Sequence, residues 1–155
     1  MGRSGAMSAD DGIKELVEAA RVAVGHAYAP YSRFAVGAAV RLTDGAVIVG
    51  ANFENASYGL SLCAEAVALA AANAQGRLAD VEAIAVVGGQ AAPVTPCGRC
   101  RQILNEAEQV AGRPIGIYCA SPSGDSVVKH SVAELLPFAF GPSDLGLTSS
   151  RKSQE

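Results

Sequence analysis

The sequence predicts an α/β protein, a three-layer α/β/α sandwich in which helices cover both faces of a five-stranded mixed sheet. Three observations carry this. Segments of helical periodicity and apolar runs of strand length follow the order α-β-β-α-β-α-β-β-α. Asp44-Gly45 joins the first two strands as a hairpin, whereas helices link strands two, three and four, which makes those parallel crossovers. Finally, 50% of the 155 residues are hydrophobic and only 17% charged, with a mean hydropathy of +0.24, which excludes a disordered chain.

Each element has its own signal. Ile13, Leu16, Val17, Ala20 and Val24 recur at helical spacing behind the capping candidates Asp10 and Asp11, so a first helix is expected over about 12–27. Ala29-Pro30-Tyr31-Ser32 reads as a break. Residues 34–42 are an unbroken apolar run, and 46–51 pair back on them across the hairpin turn. Residues 52–62 are polar and read as a loop. The Ala-rich stretch 63–74 reads as a helix stopped by Gly76. Strand three covers 81–87 and ends at Gly88-Gly89. Thr95 and Pro96 suit the N-cap and first position of a helix from Cys97 to about Val110. Strands over 115–120 and 127–130 follow, and Ser131 with Glu134 forms a capping box for a short helix before Pro137. The expected layout is a disordered N-terminus or cloning remnant over 1–11, one domain over 12–147 and a disordered tail over 148–155.

Composition narrows the function. Trp is absent and aromatics make up 5%, so small aliphatics must build the core, and 30 Ala and 17 Gly permit close backbone packing. Twelve basic against 15 acidic residues leave a net charge of −3 with no basic run, unlike a polynucleotide binder but compatible with a single nucleotide. The longest uncharged run, Ala83 to Gly98, is broken by Gly88, Gly89, Pro93 and Pro96, so no membrane span is expected. The segment MGRSGAMSADD lacks the apolar stretch of a secretory signal, and a cytoplasmic location is expected. Four cysteines in a reducing compartment point to metal binding or catalysis rather than disulfides.

Cys97-Gly98-Arg99-Cys100 is a C-x-x-C at a helix start, and Cys63 opens another helix 34 residues earlier. Alone, C-x-x-C reads equally as redox-active, structural or incidental. Helix N-termini favour thiolates, and three of them could converge on one Zn²⁺ with the fourth position left to water. Glu65 then stands close enough to move the water's proton, although a first-turn Glu is also favoured by the dipole alone. Cys119 reads as a small buried hydrophobe, and His26 and His130 as non-ligands.

NFENASYGLSLCAE followed by TPCGRCRQIL resembles the small, homotetrameric, Cys₃-zinc type of cytidine deaminase, as do PYSRFAVGAAV and ELLPFAFGPSDL. The resemblance covers about residues 12 to 147. It implies a deaminase sandwich with one Zn²⁺ per subunit on Cys63, Cys97 and Cys100, and Glu65 as the proton-shuttling acid/base during hydrolysis of the C4 amine. It also implies that Asn52 and Glu54 bind the ribose hydroxyls and that Phe34 packs on the pyrimidine. Ala56, Tyr58 and Phe140 match positions that serve a neighbouring subunit's site. The implied role is pyrimidine salvage on a nucleoside.

Many relatives carry Arg after the catalytic Glu, where this chain has Ala66. Three thiolates on Zn²⁺ leave an excess negative charge, and Arg99, assisted by Arg101, is the expected compensation within the ligand motifs. CGRCRQ also resembles the blasticidin-S deaminases, which lack the N-x-E pair that Asn52 and Glu54 provide. Further alternatives are a non-catalytic zinc-stabilised module, which would need a fourth protein ligand, and polynucleotide editing, which the charge disfavours.

Overall fold

A computed structural model describes residues 9–147. The expected disorder at the first eight residues and over 148–155 lies outside the described residues. The elements are α1 (Ala9–Val24), β1 (Val36–Leu42), β2 (Val47–Ala51), α2 (Ala64–Ala74), β3 (Val81–Gly88), α3 (Gly98–Ala111), β4 (Gly116–Ala120), β5 (Val127–His130) and α4 (Val132–Leu135). Short 3₁₀ turns occupy Tyr58–Leu60, Leu78–Asp80 and Pro142–Leu145.

The five strands form one sheet in the order β2-β1-β3-β4-β5. β1 pairs antiparallel with both β2 and β3, β3 pairs parallel with β4, and β5 is antiparallel to β4. β2, β3 and β4 therefore share one direction, as the helical links require, but β1 lies between β2 and β3.

Alternation along the strands divides the core. Ala39, Ala83, Ala85, Val87 and Ala120 face α1 through Leu16, Val17 and Ala20. Ala38, Val40, Leu42, Ile84, Val86 and Ile117 face Ala64, Ala68 and Leu69 of α2, Leu104 and Ala107 of α3, and Val132. Burial on both faces explains why these strands read as unbroken apolar runs. Gly50 of β2 lies directly under the first turns of α2. A Cβ there would stand 2.6 Å from the Ala68 amide, so only glycine lets the helix seat so closely.

Several boundaries differ from the sequence reading, each for a local reason. The described part of α1 already includes Ala9, Asp10 and Asp11, so the two aspartates lie within the helix rather than capping it. It closes early through i→i−3 bonds from Gly25, His26 and Ala27. β1 begins at Val36 rather than 34, because the Asn52 side chain takes the Phe34 carbonyl and the Val36 amide, both at 2.8 Å. The N-cap of α3 is Cys97 rather than Thr95, and Arg101 N–H closes the first helical bond onto the Cys97 carbonyl at 2.9 Å. The expected capping box on Ser131 and Glu134 is present.

Candidate active site

Cys63 and Cys97 are the N-caps of α2 and α3, both in extended backbone geometry and both without a side-chain capping bond. Their thiols are turned to one another instead. The sulfurs of Cys63, Cys97 and Cys100 all lie within 4.8 Å of each other, and those of Cys63 and Cys97 are 3.7 Å apart. A tetrahedral Zn²⁺ with bonds of about 2.3 Å holds its sulfurs about 3.8 Å apart, so the donor set fits this ion. No fourth His, Cys, Asp or Glu joins the group among the described residues.

The thiols already share their protons unequally. Hydrogen bonds from Cys100 and then Cys97, with the charge of Arg99, pull Cys63 from 9.0 down to about 6. Cys100 is pushed far up, first as the donor to Cys63 and then by burial. A cation entering the cluster takes the place of that retained proton.

Glu65, in the first turn of α2, is only 4% exposed. Burial raises its proton affinity above the usual carboxylate value, and the charge of Cys63 adds to this. Glu65, Cys63 and Cys97 line one wall of a cavity of about 400 Å³. Phe34, Val36, Val86 and Val94 supply its apolar surface, and Ser32, Asn52 and Glu54 its other polar end.

At that end the predicted sugar-binding residues are also bonded to the protein. Asn52 bridges Phe34 and Val36 through both ends of its amide. Glu54 accepts the amides of Tyr31 at 2.9 Å and Ser32 at 3.2 Å, and the Ser32 hydroxyl. The Ser32 hydroxyl first, and then these amides, hold Glu54 below the usual carboxylate range.

The remaining expected residues lie elsewhere. Tyr58, 75% exposed, stacks obliquely on Tyr31 with centroids 5.6 Å apart. The two rings border a second cavity of about 300 Å³ that shares Ser32, Glu54 and Ser61 with the first. Ala56 is exposed and lines neither cavity. Phe140 is 61% exposed and does not line the cavity, yet its carbonyl is held by the Gln102 amide at 2.8 Å and the Asn105 amide at 3.2 Å.

Among the described hydrogen bonds, the two arginines reach the thiols through backbone rather than through sulfur. Arg99 donates to the Ser61 carbonyl at 3.0 Å, two residues before Cys63. Arg101 spends three donors on the Pro96 carbonyl, the Leu135 carbonyl and the Thr95 hydroxyl, which fixes the turn entering α3. Cys119 is buried in β4 outside the cluster, and burial pushes its thiol up to about 11. Sequence reasoning missed Ser32, which it assigned to a break. The available signal was a serine two residues before an aromatic, the spacing of a hydroxyl-to-backbone turn.

The family model for the cytidine and deoxycytidylate deaminase zinc-binding region matches residues 11–112, which span the three cysteines and Glu65. The chain belongs to the cytidine and deoxycytidylate deaminase family. A cytidine deaminase of Halalkalibacterium halodurans is 48% identical over 133 residues, covering 86% of this chain and 94% of that one. One from Mycobacterium tuberculosis is 43% identical over 122 residues, covering 77% of this chain and 82% of its own. The crystal structure of a cytidine deaminase from Burkholderia pseudomallei superposes with a TM-score of 0.74 at 48% identity, over 82% of this chain and 98% of that one. A Mycobacterium tuberculosis structure gives 0.69 at 41% identity, over 83% of this chain and 97% of its own. The deaminase fold and zinc-binding character expected from the sequence are thereby established. Among the described residues, no helix is long and apolar enough to cross a membrane.

Proposed function

We propose that this deaminase hydrolyses the exocyclic amine at C4 of cytidine and deoxycytidine, giving uridine or deoxyuridine and ammonia, in cytoplasmic pyrimidine salvage. The observation that carries this reading is the shared cavity. Two of the three clustered thiols, Cys63 and Cys97, line it with the buried carboxyl of Glu65, and its apolar surface is shared with Asn52 and Glu54. One Zn²⁺ per subunit, held by Cys63, Cys97 and Cys100, supplies a Lewis acid that makes water nucleophilic near neutral pH.

The chain's own residues do the rest. Glu65 accepts a proton from water as the oxygen adds to C4 and delivers that proton to N3 of the pyrimidine. It then takes the second water proton from the C4 hydroxyl and passes it to the amine, which leaves as ammonia as the C4–N bond breaks. Its burial suits that role, because a carboxyl with raised proton affinity both takes and returns a proton. Phe34 packs on the base, while Asn52 and Glu54 hold the sugar hydroxyls. The cavity lining contains Glu54 and Glu65 and no Lys or Arg, which favours a neutral nucleoside over its phosphate. Arg99 and Arg101 offset the excess negative charge of three thiolates, Arg99 by proximity to Cys63 and Arg101 through the turn that carries Cys97.

The functional assembly is a homotetramer in which Ala56, Tyr58 and Phe140 complete neighbouring sites. An exposed aromatic at Phe140 whose backbone is clamped by two amides suits contact with a second copy.

Purified protein should release ammonia from cytidine, carry about one zinc per chain, and lose both properties with a strong chelator. No ammonia release from zinc-loaded protein would overturn the reading. Light scattering that finds an active monomer would remove the shared site.

A further inference from the structure

We propose that Ser32 is a positioning residue for sugar recognition, its hydroxyl deciding which oxygen of Glu54 is left free for the substrate. The inference rests on the reading of Glu54 as acceptor of a sugar hydroxyl.

The geometry assigns every partner. Glu54 Oε2 accepts the Tyr31 and Ser32 amides at 2.9 and 3.2 Å, which fills both of its lone pairs. Oε1 accepts the Ser32 hydroxyl and keeps one lone pair. Ser32 Oγ itself accepts the Phe34 amide at 3.0 Å, so its single hydrogen is steered to Oε1. The remaining lone pair of Oε1 is thus fixed in direction before any substrate arrives.

The same hydroxyl ties the two walls together. Phe34, whose amide meets Ser32, gives its carbonyl to Asn52 Nδ2 at 2.8 Å, and Asn52 Oδ1 takes the Val36 amide at 2.8 Å. Glu54, Ser32, Phe34 and Asn52 therefore form one continuous run of hydrogen bonds from sugar end to base wall. Between Ser32 and Phe34 the chain passes through Arg33 at φ 58, a left-handed conformation unfavourable for a side chain of that size. The bond from Phe34 to Ser32 Oγ and that from the Arg33 amide to the Ala29 carbonyl, each 3.0 Å, brace this kink. Loss of the hydroxyl frees the carboxylate to turn and removes one brace.

The test compares the zinc-loaded wild type with Ser32→Ala, Ser32→Cys and Ser32→Thr on cytidine and on 2′,3′-dideoxycytidine. For cytidine, Ser32→Ala should lower kcat/KM by roughly tenfold, mostly in KM, the size expected for a lost hydrogen bond to a charged group. On the dideoxy substrate, which lacks the hydroxyls Glu54 would hold, the same variant should change by less than about twofold. Ser32→Thr keeps the hydroxyl and should recover most of the loss. Ser32→Cys nearly keeps the volume but donates weakly, and it carries the comparison if Ser32→Ala does not fold. Equal losses on both substrates would mean general structural damage and would overturn the proposal. So would unchanged kinetics in Ser32→Ala and Ser32→Cys. A wild type that does not distinguish the two nucleosides overturns the sugar contact first, and the role of Ser32 with it.

Discussion

The two glutamates of the cavity are pushed in opposite directions. Glu65 is buried in the first turn of α2, and desolvation raises its proton affinity. Glu54 stands in a loop, accepts three hydrogen bonds and is held below the ordinary carboxylate range. One side-chain chemistry thus yields two tools. A carboxyl with raised proton affinity can carry a proton through a reaction, and one with lowered affinity stays a fixed acceptor. On the proposed reading, the same division separates a proton-moving glutamate from a recognition glutamate.

The largest effect tests the first tool. Glu65→Gln keeps shape and zinc but cannot carry a proton, so kcat should fall by about 10²–10⁴ or more. Metal analysis and turnover measured on the same sample check it, and a near-normal kcat would remove Glu65 from the chemistry.

Next in size, Glu54→Gln should raise KM for cytidine by roughly 10- to 100-fold and change kcat by less than about tenfold, the pattern of lost binding rather than lost proton transfer. pH sharpens the contrast. Because the folded-state value of Glu54 is depressed, its charge is complete above the ordinary carboxylate range and is lost only as pH falls through the lowered value. The Glu54 contribution to KM should therefore stay flat from neutral pH down past about 4.3, the ordinary Glu value. A rise in KM beginning near neutrality would contradict the assignment.

The two ends were also unequally legible in the sequence. Cys63, Glu65, Cys97 and Cys100 sit within one turn of two helix starts, so local spacing alone brings their side chains to the helix ends. The convergence of those ends required the fold, and the fold's elements were readable from periodicity. The insertion of β1 between β2 and β3 was not readable, because strand order depends on pairing between distant segments. The proposed recognition residues Ser32, Asn52 and Glu54 lie in loops instead. Asn52 and Glu54 acquired a role through family resemblance, and Ser32 had none, because its partners are 2 and 22 residues away around a left-handed kink at Arg33. Phe140 was assigned to a neighbour's site by resemblance alone, and the cavity of the single chain does not include it.

The smallest expected effect concerns charge beside the thiols. Arg99 is exposed, donates to the Ser61 carbonyl at 3.0 Å and lowers the proton affinity of Cys63 by its charge. An exposed charge acts across water and is screened by salt, so Arg99→Ala should lower kcat only by about two- to fivefold at low ionic strength. At about 1 M salt, where the screening length is roughly 3 Å, wild type and variant should converge. The sign for the metal follows from the same charge. Without Arg99, Cys63 holds its proton more tightly, protons compete better with zinc, and the pH at which acid releases the metal should move upward. Arg99→Lys separates charge from geometry: it keeps the charge but loses the fixed fork that grips Ser61. If Lys restores turnover, the arginine acts by its field. If Lys fails as Ala does and salt has no effect, Arg99 acts by holding the Ser61 carbonyl and the chain entering Cys63, and charge compensation is not its role.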